Sequence, residues 1–286
     1  MITALIDGDW LAYTAGFASQ KTRYVVPAMS GSLEYDNMTA VKDAGYLGDE
    51  VYSRVIVDPI DHVLHTVKHM LESQLTKIHD KFKVDVKPVV LLDGSGNFRE
   101  QIATIKPYKG NRPSDGKPKM HKEIRNYLID NWGAELVHGQ ETDDEMAIRQ
   151  AQSKDSTIIV AVDKDMLQVP GWHLNPNKGF KKVGQQEALE RLYVQCLTGD
   201  SVDNIGGCYK IGPKGAQELI IGKKLKAKHM YDLTLGCYYT SMERYGDDIY
   251  GGLDAEAALL ENMRLVYLRR EPGEMWNPPV AKEKQE

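Results

Sequence analysis

The chain has 286 residues, 42% of them hydrophobic and 12 of them proline, which excludes a disordered protein and allows one large domain or a core with a smaller lobe. Its longest apolar runs, VVLL at 89–92 and IIVAV at 158–162, are too short to cross a bilayer, and MITALIDGDW carries no charged-then-apolar leader, so neither a membrane nor an export signal is expected. The net charge of −5 hides two basic tracts: eight Lys or Arg against three acids between Arg99 and Arg125, and six lysines against Glu218 between Ile205 and Met230.

In chain order, ITALI (2–6) reads as a strand stopped by Asp7-Gly8-Asp9. Residues 20–58, with Gly31, Gly45 and Gly48 among polar residues and β-formers, read only as a loop or hairpin excursion. Behind Pro59, the residues Ile60, Val63, Leu64, Val67, Leu71, Leu75 and Ile78 fall on one helical stripe. His62, His65 and His69 lie on its far side, a solvated face and not a metal site. PVVLLDG (88–94) is a buried-type strand stopped by Asp93, and the basic segment 113–132 reads as helical after Pro118. AELVH (134–138) is a short strand, and TIIVAVDKD (157–165) is a further buried-type strand ending in acid. Residues 185–197 read as a helix, and TGDSVDNIGG begins a Gly-rich turn into a helix at 213–222. The last 60 residues read as mostly helical with a frayed, charged tail. The alternation predicts an α/β domain over residues 1–195, with a mainly parallel central sheet flanked by helices, and a helical lobe over 196–286. Cys196, Cys208 and Cys237, odd in number and with no C-x-x-C pair, predict reduced thiols in a cytoplasmic compartment.

Three apolar runs end in aspartate, at Asp7, Asp93 and Asp163. In an open parallel sheet the carboxyl ends of the strands share one edge, where ligands bind, so these side chains are expected to converge. Asp165 leaves the same loop as Asp163. GQETDDEMAI (139–148) follows a strand and brings Glu141, Asp143, Asp144 and Glu145 towards that edge. Thr142 and Glu145 fit a capping box, which leaves Glu145 outside the ligand set. Carboxylates this crowded neutralise or disperse unless a cation sits among them, and hard oxygen donors suit Mg²⁺ or Mn²⁺. Two such ions side by side are the usual apparatus of phosphodiester hydrolysis. Asp200 and Asp203 either share one helical face or belong to a turn in which Asp203 or Asn204 caps the next element.

The order DGDW (7–10), LLDG…FR (91–99), PYKGNR (107–112), GQETDDEMAI, VDKDMLQV (162–169) and TGDSVDNIGGCYKIGPKGA (198–216) resembles the 5′-nuclease family, which includes flap endonucleases, the 5′-nuclease domain of bacterial DNA polymerase I and phage 5′–3′ exonucleases. The likeness runs from residue 5 to about 222 and is greatest to stand-alone phage exonucleases. It implies a PIN-like core with a helical arch at about 113–135. The C-terminal lobe would contain a helix–three-turn–helix at about 199–222. Asp7, Asp93, Glu141, Asp143 and Asp144 would be one metal cluster, and Asp163, Asp165, Asp200 and Asp203 the second, holding two Mg²⁺ or Mn²⁺ ions. Setting those nine acids aside turns the net charge of −5 into +4, compatible with a DNA-binding surface. Asp9 stays outside the set, as a turn residue or a partner behind the ligands.

Lys109 and Arg112 match the family's basic pair at the scissile phosphate, and Arg99 falls in the same stretch of motifs. Tyr108 either stacks on a terminal base or packs against the sheet. Trp10 and Tyr13 are the two other candidates for stacking near the cut. Lys117, Lys119, Lys122 and Arg125 would line the arch over a single strand, or form a solvated face. At the helix–three-turn–helix, Gly206, Gly207, Lys210, Gly212 and Lys214 would grip duplex phosphates with a K⁺ ion, although Lys210 replaces a common glycine. The resemblance thus implies a metal-dependent 5′–3′ exonuclease or flap endonuclease acting on DNA, with RNA–DNA hybrids and other replication proteins as further expected partners. A PIN-type ribonuclease and a catalytically silent DNA-junction-binding protein are the alternatives. The lobe speaks against the first, and the presence of all nine acids against the second.

Overall fold

The computed structural model describes residues 1–28, 31–46, 50–112, 116–153 and 156–279. The frayed tail and the start of the expected arch fall partly on 280–286 and 113–115, outside the described residues. Five of the strands carry the apolar runs or follow them: β1 (Ile2–Asp7), β5 (Val86–Asp93), β6 (Glu135–Val137), β7 (Thr157–Val160) and β8 (Gly171–Asn175). Among the described residues they form a parallel sheet in the order β6-β5-β1-β7-β8, with β9 (Gly179–Val183) added antiparallel at the edge. The register sets Asp7 beside Leu91 and Asp93 beside Val137, so the carboxyl ends of β1, β5 and β6 lie level.

Both faces of this sheet are covered, which is why its strands read as unbroken apolar runs. Ala4, Ile6, Val90, Leu92, Ile158 and Val160 point to one side. There they meet α1 (Gly8–Ala18), α3 (Ile60–Phe82) and α5 (His121–Trp132). Leu5, Leu91, Ile159 and Ala161 point to the other side, against Met146 and Ala147 of α6 (Thr142–Gln152) and against Leu268. From β1 the chain winds outwards through β5 to β6, then crosses to β7 on the other side of β1. The acidic edge therefore lies at the switch point of the winding, where crevices form.

The hairpin excursion expected at 20–58 is a second, antiparallel sheet in the order β3-β2-β4, from β2 (Gln20–Ala28), β3 (Gly31–Tyr35) and β4 (Tyr52–Val57), with α2 (Met38–Asp43) between β3 and β4. α3 buries Val63, Val67, Leu71 and Ile78 and leaves His62, His65 and His69 exposed, as its stripe predicts. α4 (Phe98–Ile102) leads into a separate hydrophobic cluster built from α7 (Gln185–Thr198), α8 (Pro213–Ile220), α9 (Ala227–Tyr245) and α10 (Ala255–Val266). All three cysteines are free. Among the described residues no helix is long and apolar enough to cross a membrane.

Candidate active site

Four of the expected acids are each fixed through one oxygen by a backbone amide. Asp7 caps α1 by accepting the Trp10 N–H at 2.9 Å. Asp93 accepts the Thr142 N–H at the start of α6, 2.7 Å away. Asp163 accepts the Asp165 N–H at 2.8 Å, and Asp200 accepts the Val202 N–H at 2.7 Å. Each strand or loop thus ends in an acid that doubles as a local cap, the arrangement a helix N-terminus favours.

These acids feel one another. Desolvation and the carboxylates of Asp9, Asp93 and Asp163 push Asp7 up to about 7, against the pull of the Trp10 amide. Desolvation, then Asp7, Asp163, Glu141 and Asp93, raise Asp143 well above the usual carboxylate range. Asp93 is raised by desolvation and by Asp9 and Glu141. Asp165 is lifted to about 7 by desolvation and by Asp163 and Asp200. Asp163 therefore couples to both groups, with Asp7, Asp93, Asp143 and Glu141 on one side and Asp165 and Asp200 on the other. Glu141 differs: desolvation raises it, but Arg99, Lys109 and Tyr108 outweigh that and hold it low.

Three expected ligands are met by cations of the protein itself: Glu141 by Lys109, Asp144 by Arg99 and Asp203 by Arg112. Asp144 is fully buried, and Arg99 grips it with Nη1–Oδ2 at 2.5 Å and Nη2–Oδ1 at 3.0 Å. Its oxygens also accept the Arg269 amide at 3.1 Å and the Glu141 amide at 3.3 Å. With its oxygens engaged inside the protein, Asp144 is a structural anchor and not a member of the acidic edge. Asp203 accepts Arg112 Nη2 at 2.5 Å on Oδ1 and the Tyr108 hydroxyl at 2.8 Å on Oδ2. The capping box also moves: Glu141 and Asp144 cap α6 reciprocally, while Thr142 Oγ1 is buried without a partner among the described residues. Glu145 pairs with Arg149 at 2.7 Å, away from the acids.

Arg99 and Tyr108 are not available to DNA. Arg99 is 1% exposed, and besides Asp144 it donates to the carbonyls of Leu265 and Tyr267. Tyr108 is buried in the lobe's hydrophobic cluster, its hydroxyl turned to Glu141 and Asp203. It packs, but in this cluster and not against the sheet.

The basic pair is carried by a loop interlocked with the acidic turn. Asn111 Nδ2 donates to the Ser201 carbonyl at 2.7 Å, and Asn204 Nδ2 donates to the Pro107 carbonyl at 2.9 Å. Lys109, in the left-handed region at φ 54°, donates its N–H to the Asp203 carbonyl at 2.9 Å and pairs its ammonium with Glu141. Asp200 and Asp203 sit in a turn and not on a helix, closed by the Asp200–Ile205 bridge. Asn111 lies within PYKGNR and Asn204 within TGDSVDNIGG, so both have a signal in the sequence. Gln195, which donates to Asp165 at 2.6 Å, has none.

Lys210, Gly212 and Lys214 are exposed at the start of α8, along a cleft of about 650 Å³. Lys210 takes φ 64°, the conformation glycine adopts without strain. Gly206 is exposed, while Gly207 is buried with its amide 3.3 Å from Asn262 Oδ1. Lys117, Lys119 and Lys122 are exposed, but Arg125 is engaged by Asp9 and by the Asp93 carbonyl. Tyr13 packs edge-on to His121 at 4.9 Å and Trp10 packs against the cluster beneath α1, and both are only partly buried.

The donor set fits a hard divalent cation: Asp7, Asp93, Asp143, Asp163, Asp165 and Asp200 supply oxygens, and the carboxyls of Asp7, Asp93, Asp143 and Asp165, pushed up by desolvation and by neighbouring acids, mark negative charge in search of a counter-ion. Among the described residues no three His, Cys, Asp or Glu side chains already close on a single point.

No protein-family model matches the chain. It is 36% identical over 97 residues to DNA polymerase I of Rhizobium leguminosarum, covering 29% of this chain and 10% of that protein. To a 5′-3′ exonuclease of Buchnera aphidicola subsp. Schizaphis graminum it is 31% identical over 167 residues, covering 51% of this chain and 56% of that protein. The chain therefore matches only a tenth and about half of the length of these curated relatives. The T5 D15 protein, crystallised with metal ions, shares the fold at a TM-score of 0.53 and 15% identity, over 92% of this chain and 88% of that one. By sequence the chain is thus similar to a 5′-3′ exonuclease and to DNA polymerase I over part of their lengths, and it shares the fold of the T5 D15 protein.

Proposed function

We propose that the chain is a divalent-metal-dependent 5′–3′ exonuclease or flap endonuclease, hydrolysing DNA phosphodiesters at 5′ ends, nicks or flaps, with RNA–DNA hybrids within its range. The observation that carries this reading is the set of carboxylates at the switch point of the sheet, four of them anchored by a backbone amide and several raised by desolvation and by one another. Asp7, Asp93, Asp143 and Asp163, with Glu141 beside them, would hold one Mg²⁺ or Mn²⁺ ion. Asp163, Asp165 and Asp200 would hold a second. When bound, such ions lower the pKa of an attacking water and stabilise charge on the phosphate.

The chain's own cations complete the reading. Glu141 and Asp203 hold Lys109 and Arg112 at the same edge, and an incoming phosphate would exchange those carboxylates for its own oxygens. Lysine supplies a point charge there and arginine a fork. Lys117, Lys119 and Lys122 would face the single strand, while Gly206, Gly207, Lys210, Gly212 and Lys214 of the 196–286 lobe would grip the duplex by a helix–three-turn–helix, with K⁺ at that turn. Residues 1–195 would then be the cutting core.

The test is cleavage of DNA labelled at its 5′ or 3′ end, as blunt, nicked and 5′-flap substrates, with Mg²⁺, with chelator and with Asp163→Ala. Metal-dependent cutting from 5′ ends, lost in Asp163→Ala, is expected. Cleavage in chelator, or degradation from 3′ ends, overturns the reading.

A further inference from the structure

Asp9 and Arg125 close a ring around the backbone of Asp93. Asp9 Oδ2 accepts the Asp93 N–H at 2.6 Å, Asp9 Oδ1 pairs with Arg125 Nη1, and Arg125 Nη2 donates to the Asp93 carbonyl. One side chain therefore holds the amide of this residue, the other holds its carbonyl, and each holds the other. The Asp93 carboxylate is fixed separately by Thr142. The pair is largely enclosed, with side-chain exposures of 18% for Arg125 and 16% for Asp9.

The pair also marks where α5, returning from the basic segment, docks on α1. Pro118 lies so close to Gly16 that a Cβ there would stand 2.6 Å from its ring. His121 packs on Tyr13, and its Nε2, buried and without a hydrogen-bond partner among the described residues, lies 4.0 Å from Asp9 Oδ1. An arginine committed in this way cannot reach a DNA phosphate without releasing both Asp9 and Asp93.

We propose that Asp9 and Arg125 are positioning residues for the ligand Asp93, so that Arg125 supports divalent-cation binding through the backbone of Asp93 and makes no DNA contact. The proposal rests on the metal-dependent reading of the acidic edge given above. Partners behind a ligand orient it, and losing one costs about 10–100-fold in metal affinity.

The experiment titrates Mn²⁺ into the full chain by calorimetry and measures 5′-flap DNA binding in chelator at several salt concentrations. Arg125→Gln and Asp9→Asn are each expected to weaken Mn²⁺ binding about tenfold. The double variant should lose little more than either single one, because the two act as a unit. It also leaves no unpaired charge and so serves where a single variant fails to fold. DNA affinity and its salt dependence should stay as in the unmodified chain, whereas losing a phosphate contact lowers the salt slope by about one. Unchanged Mn²⁺ affinity in the folded variants, or a reduced salt slope with metal binding intact, overturns the proposal while leaving the site reading standing. Asp93→Ala, expected to lose Mn²⁺ outright, separates the two: if the unmodified chain neither binds Mn²⁺ nor cuts DNA, the site reading fails, and the positioning proposal with it.

Discussion

Asp144 and Arg99 form a bidentate ion pair inside the protein, at 2.5 and 3.0 Å, with side chains 0% and 2% exposed. The pair ties the start of α6 to the last turn of α10 and the segment after it, through the carbonyls of Leu265 and Tyr267 and the amide of Arg269. Removing one member strands the other charge without water, which costs about 3–5 kcal/mol. Asp144→Ala should therefore lower the urea midpoint strongly while the folded fraction keeps Mn²⁺ affinity within a few-fold. Normal stability with lost metal binding would return Asp144 to the ligand set.

Gly207 and Gly206 separate two kinds of glycine in one motif. Gly207 has φ 64°, and a Cβ there would lie 2.3 Å from the Gly199 nitrogen and 2.7 Å from the Leu197 carbonyl oxygen. All of these are backbone atoms, which cannot give way cheaply. At Gly206 the nearest atom to a Cβ is Lys106 Nζ at 3.9 Å. Gly207→Ala is expected to destabilise by at least about 2 kcal/mol, and Gly206→Ala by under about 0.5 kcal/mol. Chemical denaturation of both variants checks the contrast, and equal midpoints would contradict it.

What the sequence discloses follows from which interactions are local. Leu5, Ile6, Val90 and Leu91 advertise a strand because both faces of the sheet are covered, and the aspartate that stops each run is visible beside it. α3 shows its stripe because one side is wet. α1 buries Gly8, Leu11, Ala12, Ala15 and Gly16 on one face, but that stripe is mostly glycine and alanine and gives little apolar contrast, so the helix is not read. The sheet at 20–57 is mostly exposed on both faces, with Val25 and Val26 buried on opposite ones, so neither alternation nor a buried run marks it. The ion pairs are hidden for another reason. Arg99 meets Asp144 45 residues away and Arg112 meets Asp203 91 residues away, so which acids stay free for a cation is settled only by tertiary packing.

His173 predicts the acid side of the stability curve. Burial, with Lys181 and Arg191 nearby, pushes its imidazole down to about 4, although its Nε2 lies 2.7 Å from the Val169 carbonyl, a bond that favours the protonated ring. The unfolded chain takes up this proton near the ordinary value of 6.5, the folded chain only near 4, so stability is present above 6.5 and drains away as pH falls between those values. Relative to His173→Gln, the unmodified chain should lose about 3 kcal/mol over that window. Urea titrations of both proteins at pH 7, 5.5 and 4 test this, and a constant difference between them would count against it.

The acidic edge predicts a metal affinity that climbs with pH. Asp7 and Asp165 are lifted to about 7, chiefly by desolvation and then by neighbouring carboxylates, so near neutrality each is divided between its acid and its anion. A divalent cation takes the anion alone, so below 7 it competes with protons and above 8 it does not. Between pH 8 and pH 6, Mn²⁺ affinity should fall by about tenfold for each of the two groups engaged. Calorimetry at pH 6 in buffers of different ionisation enthalpy should show protons released on binding. Asp165→Asn should reduce that release by the share of one group while Asp7 keeps its own. An affinity flat from pH 6 to pH 8 would mean that the cation binds where these two carboxylates are not.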